Sequence, residues 1–293
     1  MDTVVLENEE LKATINLDGA EIVSVKDIAT DTEYMWQADP EVWKRHAPVL
    51  FPFVGKLKDD QFSYDGQDYS MTQHGFARDK KFEVSVQDNN FVSLLLKSDA
   101  DSIRKYPFEF EFYINYTLQQ RSILVNYQVI NPKNQELYFS VGAHPGFTVP
   151  LTGETKYEDY YLELSPDEIR YQIPLISSNI DPKNHFKTNT SKYPINHELF
   201  KDDALIFELE GSNTISIKSD KTNYGISVSS DNAEFVGLWS SYPTEGNFVC
   251  IEPWWGTADT IDASGKFEEK FAIKHLSKQD DEFNANYTIT FDK

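Results

Sequence analysis

Phe110-Glu111-Phe112-Tyr113-Ile114-Asn115-Tyr116, followed by Gln119-Gln120-Arg121 and then Ser122-Ile123-Leu124-Val125-Asn126-Tyr127-Gln128-Val129, is the stretch on which the fold turns. Both runs alternate with period two, and their aromatic and β-branched residues suit a pleated, half-buried surface. The short polar connection between them reads as the turn of an antiparallel hairpin.

Segments of the same kind recur on both sides of this hairpin. Leu11–Ile15 and Ala20–Val25 flank the turn Leu17-Asp18-Gly19, and Phe91–Leu96 follows Asp88-Asn89-Asn90. Further strand-like runs are Tyr160–Leu164, Ala204–Leu209, Thr214–Lys218, Gly225–Ser229, Phe235–Trp239, Phe248–Ile251, Lys270–Leu276 and Tyr287–Phe291, and Tyr64-Asp65-Gly66 carries turn chemistry. Helical signals are scarce. Asp39–Lys44, with Asp39 as cap and Pro40 at the first position, reads as one or two turns, and Ser102–Tyr106 as another. The span Pro166–Phe200 is the least periodic and largely polar, so it reads as a long excursion over the surface. No βαβ rhythm, repeat or linker divides the chain. The reading is therefore a single all-β domain over residues 1–293, a large antiparallel sandwich of two extensive sheets.

Composition narrows the partners. With 27 Lys+Arg against 48 Asp+Glu the formal charge is −21, which repels phosphate backbones and anionic lipid heads. Nucleic acid and membrane are not expected partners. Met1–Ile15 has no basic stretch leading into a long apolar one, so the expected address is the cytoplasm. The single cysteine, Cys250, lies in the apolar run Phe248-Val249-Cys250-Ile251 and reads as a buried, inert core thiol.

Three short segments carry unusual residues: Gln73-His74-Gly75-Phe76-Ala77-Arg78, Gly142-Ala143-His144-Pro145-Gly146-Phe147 and Ile251-Glu252-Pro253-Trp254-Trp255-Gly256. Glu252 closes an apolar strand, where alternation turns it away from Ile251, and an environment of that kind shifts a carboxyl pKa. A strand-end glutamate in solvent or in an ion pair is the plainer reading. His144 follows a strand and precedes Pro-Gly, which places it at a strand exit before a turn. An imidazole can donate or accept a proton near neutrality, although one satisfied by backbone hydrogen bonds fits the same context. His74 shares its loop with Arg78. His46, His185, His197 and His275 have no comparable surroundings. No H-E-x-x-H, cysteine pair, EF-hand loop or G-x-S-x-G elbow is present, so neither a metal site nor a serine hydrolase is expected.

Taken together with Leu50-Phe51-Pro52-Phe53-Val54-Gly55-Lys56-Leu57 and Asp202-Asp203-Ala204-Leu205, these segments resemble the aldose 1-epimerase (galactose mutarotase-like) family, in its LacX-like branch. The five motifs occur in the family's order and cover most of the chain. The resemblance implies a β-supersandwich with an open cleft and an enzyme that interconverts the α and β anomers of an aldohexose without cofactor. It implies Glu252 as the base that removes the anomeric hydroxyl proton and His144 as the acid that protonates the ring oxygen. His74 and Asp203 would hold the sugar, and Trp254 or Trp255 would lie against its C–H face or in the core. The central branch of the family has an Asn-Arg pair where this chain has Gly55-Lys56, so Lys56 stands in the arginine's place. Arg78 matches an arginine that holds phosphate in the hexose-phosphate branch, which leaves free and phosphorylated hexoses both open as partners. Two other readings stand beside the epimerase. One is a non-catalytic sugar-binding sandwich, and the other is a glycoside hydrolase using Glu252 with Asp203.

Overall fold

The structure is a computed structural model that describes residues 2–293. The opening hairpin is present as Glu111–Gln119 paired with Ser122–Ile130, turning through Gln120 at φ +49° and Arg121. Its alternation sets the layer order. Phe112, Ile114, Tyr116, Leu118, Ile123, Val125, Tyr127 and Val129 are all buried, and the residues between them face outward.

Glu282–Asp292 pairs with the hairpin on one side and Phe91–Lys97 on the other, within a nine-stranded antiparallel sheet that runs from Lys192–Pro194 to Glu83–Gln87. An eight-stranded sheet packs its core face toward it. In path order that second sheet contains Phe186–Thr188, Arg170–Ile173, Leu205–Glu208, Phe235–Trp239, Phe248–Trp255, Val141–Ala143 and Val49–Leu50, with Gly146–Thr148 also on Phe248–Trp255. The antiparallel sandwich expected from the sequence is thus observed. Asp39 caps one turn, accepting from the Glu41 amide at 3.0 Å, and Ala100–Lys105 is a helix capped by Asp99.

Four local expectations are corrected. The span 166–200 runs over the surface as expected, but it is not irregular. It contributes edge strands to both sheets and a tight hairpin, Leu175–Ile176 with Asn179–Ile180, each too short to show a period. Lys270–Leu276 is strand only at Lys274–Leu276, because Ala272 adopts φ +56° and Lys270 turns inward to an ion pair. Phe248–Ile251 continues as a strand through Trp255, so Glu252 is mid-strand and 2% exposed, not at a mouth in solvent. Pro145-Gly146 makes no reversal, since Val141–Ala143 and Gly146–Thr148 both pair with the same strand, Phe248–Trp255.

That central strand is buried on both faces. Val249, Ile251 and Trp255 enter the main core, and Trp255 donates its indole N–H to Asn232 at 3.1 Å. Phe248, Cys250, Glu252 and Trp254 project from the opposite face, where Trp254 packs in a smaller cluster with Leu50, Val54, Ile206 and Ala258.

Candidate active site

Strand register brings the acid–base candidates together. Gly142 pairs with Trp254 and Gly146 with Cys250, so His144 falls opposite Glu252 in the gap between the two short strands. His144 Nε2 lies 3.4 Å from Glu252 Oε2. Burial pushes the Glu252 carboxyl well above the usual carboxylate range, with the Asp203 carboxylate adding to the effect. Burial pushes His144 down, to about 3. The indole of Trp43 stacks on His144 at 5.0 Å between centroids, and Trp239 meets it edge-on at 5.5 Å.

The pair forms part of a cavity of about 330 Å³, also lined by His74, Arg78, Asp203, Trp254, Ser178 and Gln73. His74 adopts φ +67°, a conformation that costs a non-glycine residue roughly 1 kcal/mol or more. Gly75 beside it has φ +69° and packs so closely on Phe51 that a Cβ would lie 2.4 Å from the Phe51 carbonyl oxygen. Gly55 holds His74 at both ends. The His74 amide donates to the Gly55 carbonyl at 2.9 Å, and the Gly55 amide donates to His74 Nδ1 at 3.1 Å. Nδ1 is therefore the acceptor and the neutral ring carries its proton on Nε2. Burial, then the neighbouring His144, Arg78 and Arg45, keep His74 well below the ordinary imidazole range.

Asp203, at φ +79°, sits at the rim, accepting from the Ala204 amide at 2.9 Å and from the Ser178 hydroxyl at 3.4 Å. Arg78 donates to the Gln73 carbonyl at 2.6 Å, and its Nε is buried without a hydrogen-bond partner. Arg45 is committed to Asp79 at 2.8 Å.

A family model for aldose 1-epimerase matches residues 2–271. The chain belongs to the aldose 1-epimerase family. It is 32% identical over 298 aligned residues to the chromosomal protein LacX of Lactococcus lactis subsp. lactis, covering 98% of this chain and 99% of that protein. Among solved structures it is similar to a galactose mutarotase related enzyme from Lactobacillus acidophilus, with TM-score 0.97, 44% identity and coverage of 99% and 97%. A galactose mutarotase-like protein from Lactobacillus casei ATCC 334 superposes with TM-score 0.89 at 28% identity, covering 99% and 100%. The fold is accordingly the galactose mutarotase-like sandwich.

In this aldose 1-epimerase family member the structure gathers His74, Arg78, His144, Asp203, Glu252 and Trp254 around one cavity. Lys56 lies outside that lining, with its ammonium 3.9 Å from Asp60. The tryptophan pair divides by strand alternation, Trp254 to the cavity and Trp255 to the core. Trp43, Trp239 and Ser178 were not singled out from the sequence. Tryptophans beside a short turn and a strand end were the available signal for the first two, and Ser178 offered none. Cys250 is buried as expected, but it faces the His144–Glu252 pair instead of the main core.

Behind the cavity wall lies a buried ion pair. Lys270 donates to Asp259 Oδ1 at 3.0 Å and to the Thr257 carbonyl at 2.7 Å. The other carboxylate oxygen of Asp259 accepts from the Lys58 amide at 2.9 Å, and the Asp259 amide donates to the Lys56 carbonyl at 2.9 Å. This clamps residues 257–259 onto residues 55–58, with Ala258 against Gly55, the residue that orients His74.

No helix among the described residues is long and apolar enough to cross a membrane.

Proposed function

We propose that this chain is a mutarotase that interconverts the anomers of an aldohexose, free or phosphorylated, with His144 and Glu252 as its proton-transfer pair. The observation that supports this most is the cross-strand placement of the two groups, 3.4 Å apart, in a cavity large enough for one pyranose. O1 and O5 of the sugar are bonded to the same carbon. A carboxylate and an imidazole this close serve those two neighbouring oxygens from one side; they do not clasp the ring from opposite sides.

In ring opening Glu252 takes the O1 proton, C1=O1 forms, C1–O5 breaks, and His144 delivers its proton to O5. Rotation about C1–C2 and the reverse transfers then close the ring on the other face. Positioned proton transfer of this kind contributes ~10²–10⁴-fold. The step needs the charge-separated pair, carboxylate with imidazolium. Their attraction at 3.4 Å is worth about 5 kcal/mol at an effective dielectric near 20. Removing two ions from water costs several kcal/mol each, which favours the neutral arrangement. The two desolvation costs together exceed that attraction, so the sugar-free pair rests as imidazole with carboxylic acid, and the charge-separated form is reached from it by transfer of one proton at an energetic cost. His74 Nε2–H, Asp203 and Arg78 supply hydrogen-bond partners for the hydroxyl groups, and Trp254 an apolar floor.

The test is equilibration of pure α-glucose, α-galactose and their 6-phosphates, followed by polarimetry or NMR. Acceleration that falls by orders of magnitude in Glu252→Gln and His144→Asn is expected. Saturable sugar binding with no acceleration would instead make the protein a sugar-binding sandwich.

A further inference from the structure

We propose that the floor of this cavity is also a binding site for a soft divalent cation of the zinc and cadmium type, held by His144, Cys250 and Glu252, and that the ion and the sugar exclude one another. Cys250 and Glu252 stand two residues apart on one strand face, and His144 faces Glu252 across the ladder. One ligand atom from each of the three lies within 4.8 Å of the other two, and all three side chains are buried. Nε2 is the His144 ring nitrogen that faces Glu252, and the other, Nδ1, is buried without a hydrogen-bond partner.

The donor set is the argument for the metal class. Imidazole nitrogen, thiolate sulfur and carboxylate oxygen together select a borderline-soft ion and not magnesium or calcium. Bonds of ~2.0–2.3 Å to a central ion need donors roughly 3.3–3.8 Å apart. The imidazole and carboxylate already meet that spacing at 3.4 Å. The Cys250 sulfur lies behind the cavity lining, within 4.8 Å of the other two ligand atoms, and would have to close the remaining distance on binding, whereas His144 and Glu252 line the cavity and leave the fourth position on its side. Charge balance favours the complex. Binding M²⁺ releases the Cys250 thiol proton and the one proton held by the His144–Glu252 pair to solvent. The ion then sits with one thiolate, one carboxylate and a neutral imidazole, so a buried site gains no net charge. Isolated ionisation of Cys250, by contrast, is opposed by burial and by the Glu252 carboxylate. His144 lies over 100 residues before Cys250 and Glu252, which is why no sequence spacing announced the three together.

The chain has one cysteine, so a thiolate-to-cadmium charge-transfer band reports Cys250 alone, whatever surface histidines bind. Titration of the full chain with Cd²⁺ is expected to give that ultraviolet band saturating at one ion per chain. Zn²⁺ should compete it away, saturating hexose should weaken it, and Glu252→Gln should weaken apparent affinity at least tenfold. Cys250→Ser should lack the band and keep its metal-free mutarotation while losing sensitivity to Zn²⁺ at least tenfold. Absence of the band in folded wild-type protein overturns the site, as does a band of equal affinity in Glu252→Gln that sugar does not affect. Sugar exclusion of the ion rests on the mutarotase reading of the cavity. The Cd²⁺ band decides the metal site even in a protein that turns over no sugar.

Discussion

Lys270 and Asp259 form an ion pair 3.0 Å apart with both side chains almost fully out of water, directly behind the wall that holds His74. Removing one partner strands the other charge, a cost of roughly 3–5 kcal/mol. Lys270→Met and Asp259→Asn should each lower the thermal midpoint by many degrees, and the double substitution should lower it less than the two singles combined. Because the clamp reaches His74 through Gly55, the surviving folded protein should bind sugar more weakly, with KM moving more than kcat. Two additive single losses in a denaturation series would show that the two groups do not act as a pair.

The His144–Glu252 pair predicts an unusual pH profile. Burial moves the imidazole down to about 3 and the carboxyl well up from its ordinary value. The second proton therefore joins the pair only below the ordinary histidine range, and acid should not silence the enzyme near pH ~6.5, where a free imidazole titrates. The expected kcat/KM profile has its acid limb displaced below the free-imidazole value and its alkaline limb, where the pair loses its one proton, displaced above the ordinary carboxyl value. An acid-limb midpoint at the free-imidazole value would mean that His144 is solvated and titrates alone.

Much of this was legible in the sequence because period-two alternation is a strong signal in long strands. Phe110–Val129 fixed the hairpin and its inner face, and alternation correctly turned Glu252 away from Ile251. Convergence was a different matter. His144 and Glu252 meet because a ladder interrupted at Pro145 keeps register across the gap, and no local pattern encodes register between strands 100 residues apart. The resemblance to a family supplied that pairing. The rim hairpin at Ser177–Ser178 was illegible for another reason: both residues take positive φ without a glycine, so the usual turn signal is missing.

Trp254 needs flat ground. Its indole lies across neighbouring strands exactly where they carry glycine, and a Cβ would come within 2.7 Å of the ring at Gly142 and 2.5 Å at Gly237. Gly237→Ala should lift the indole into the cavity, raising KM for the sugar about tenfold or more and shifting tryptophan fluorescence. The fold should survive, since Gly237 has no positive φ to protect. Unchanged KM would remove Trp254 from the sugar-binding surface.

Arg78 and Lys56 give opposite expectations although both are basic and both flank the same wall. Lys56 faces Asp60 at 3.9 Å in a partly exposed pair, an arrangement worth little, and Lys56→Ala should change kcat/KM less than twofold. Arg78 lines the cavity with an Nε that makes no hydrogen bond and lies 3.9 Å from Asp79, the carboxylate that Arg45 already engages at 2.8 Å. A planar guanidinium with spare donors suits a phosphate or a pair of hydroxyl groups better than a lysine would. Arg78→Lys keeps the charge and loses the fork. For a phosphorylated hexose its kcat/KM should fall tenfold or more, with free hexose affected far less. Equal losses on both sugars would assign Arg78 to the hydroxyl groups and make the free sugar the substrate.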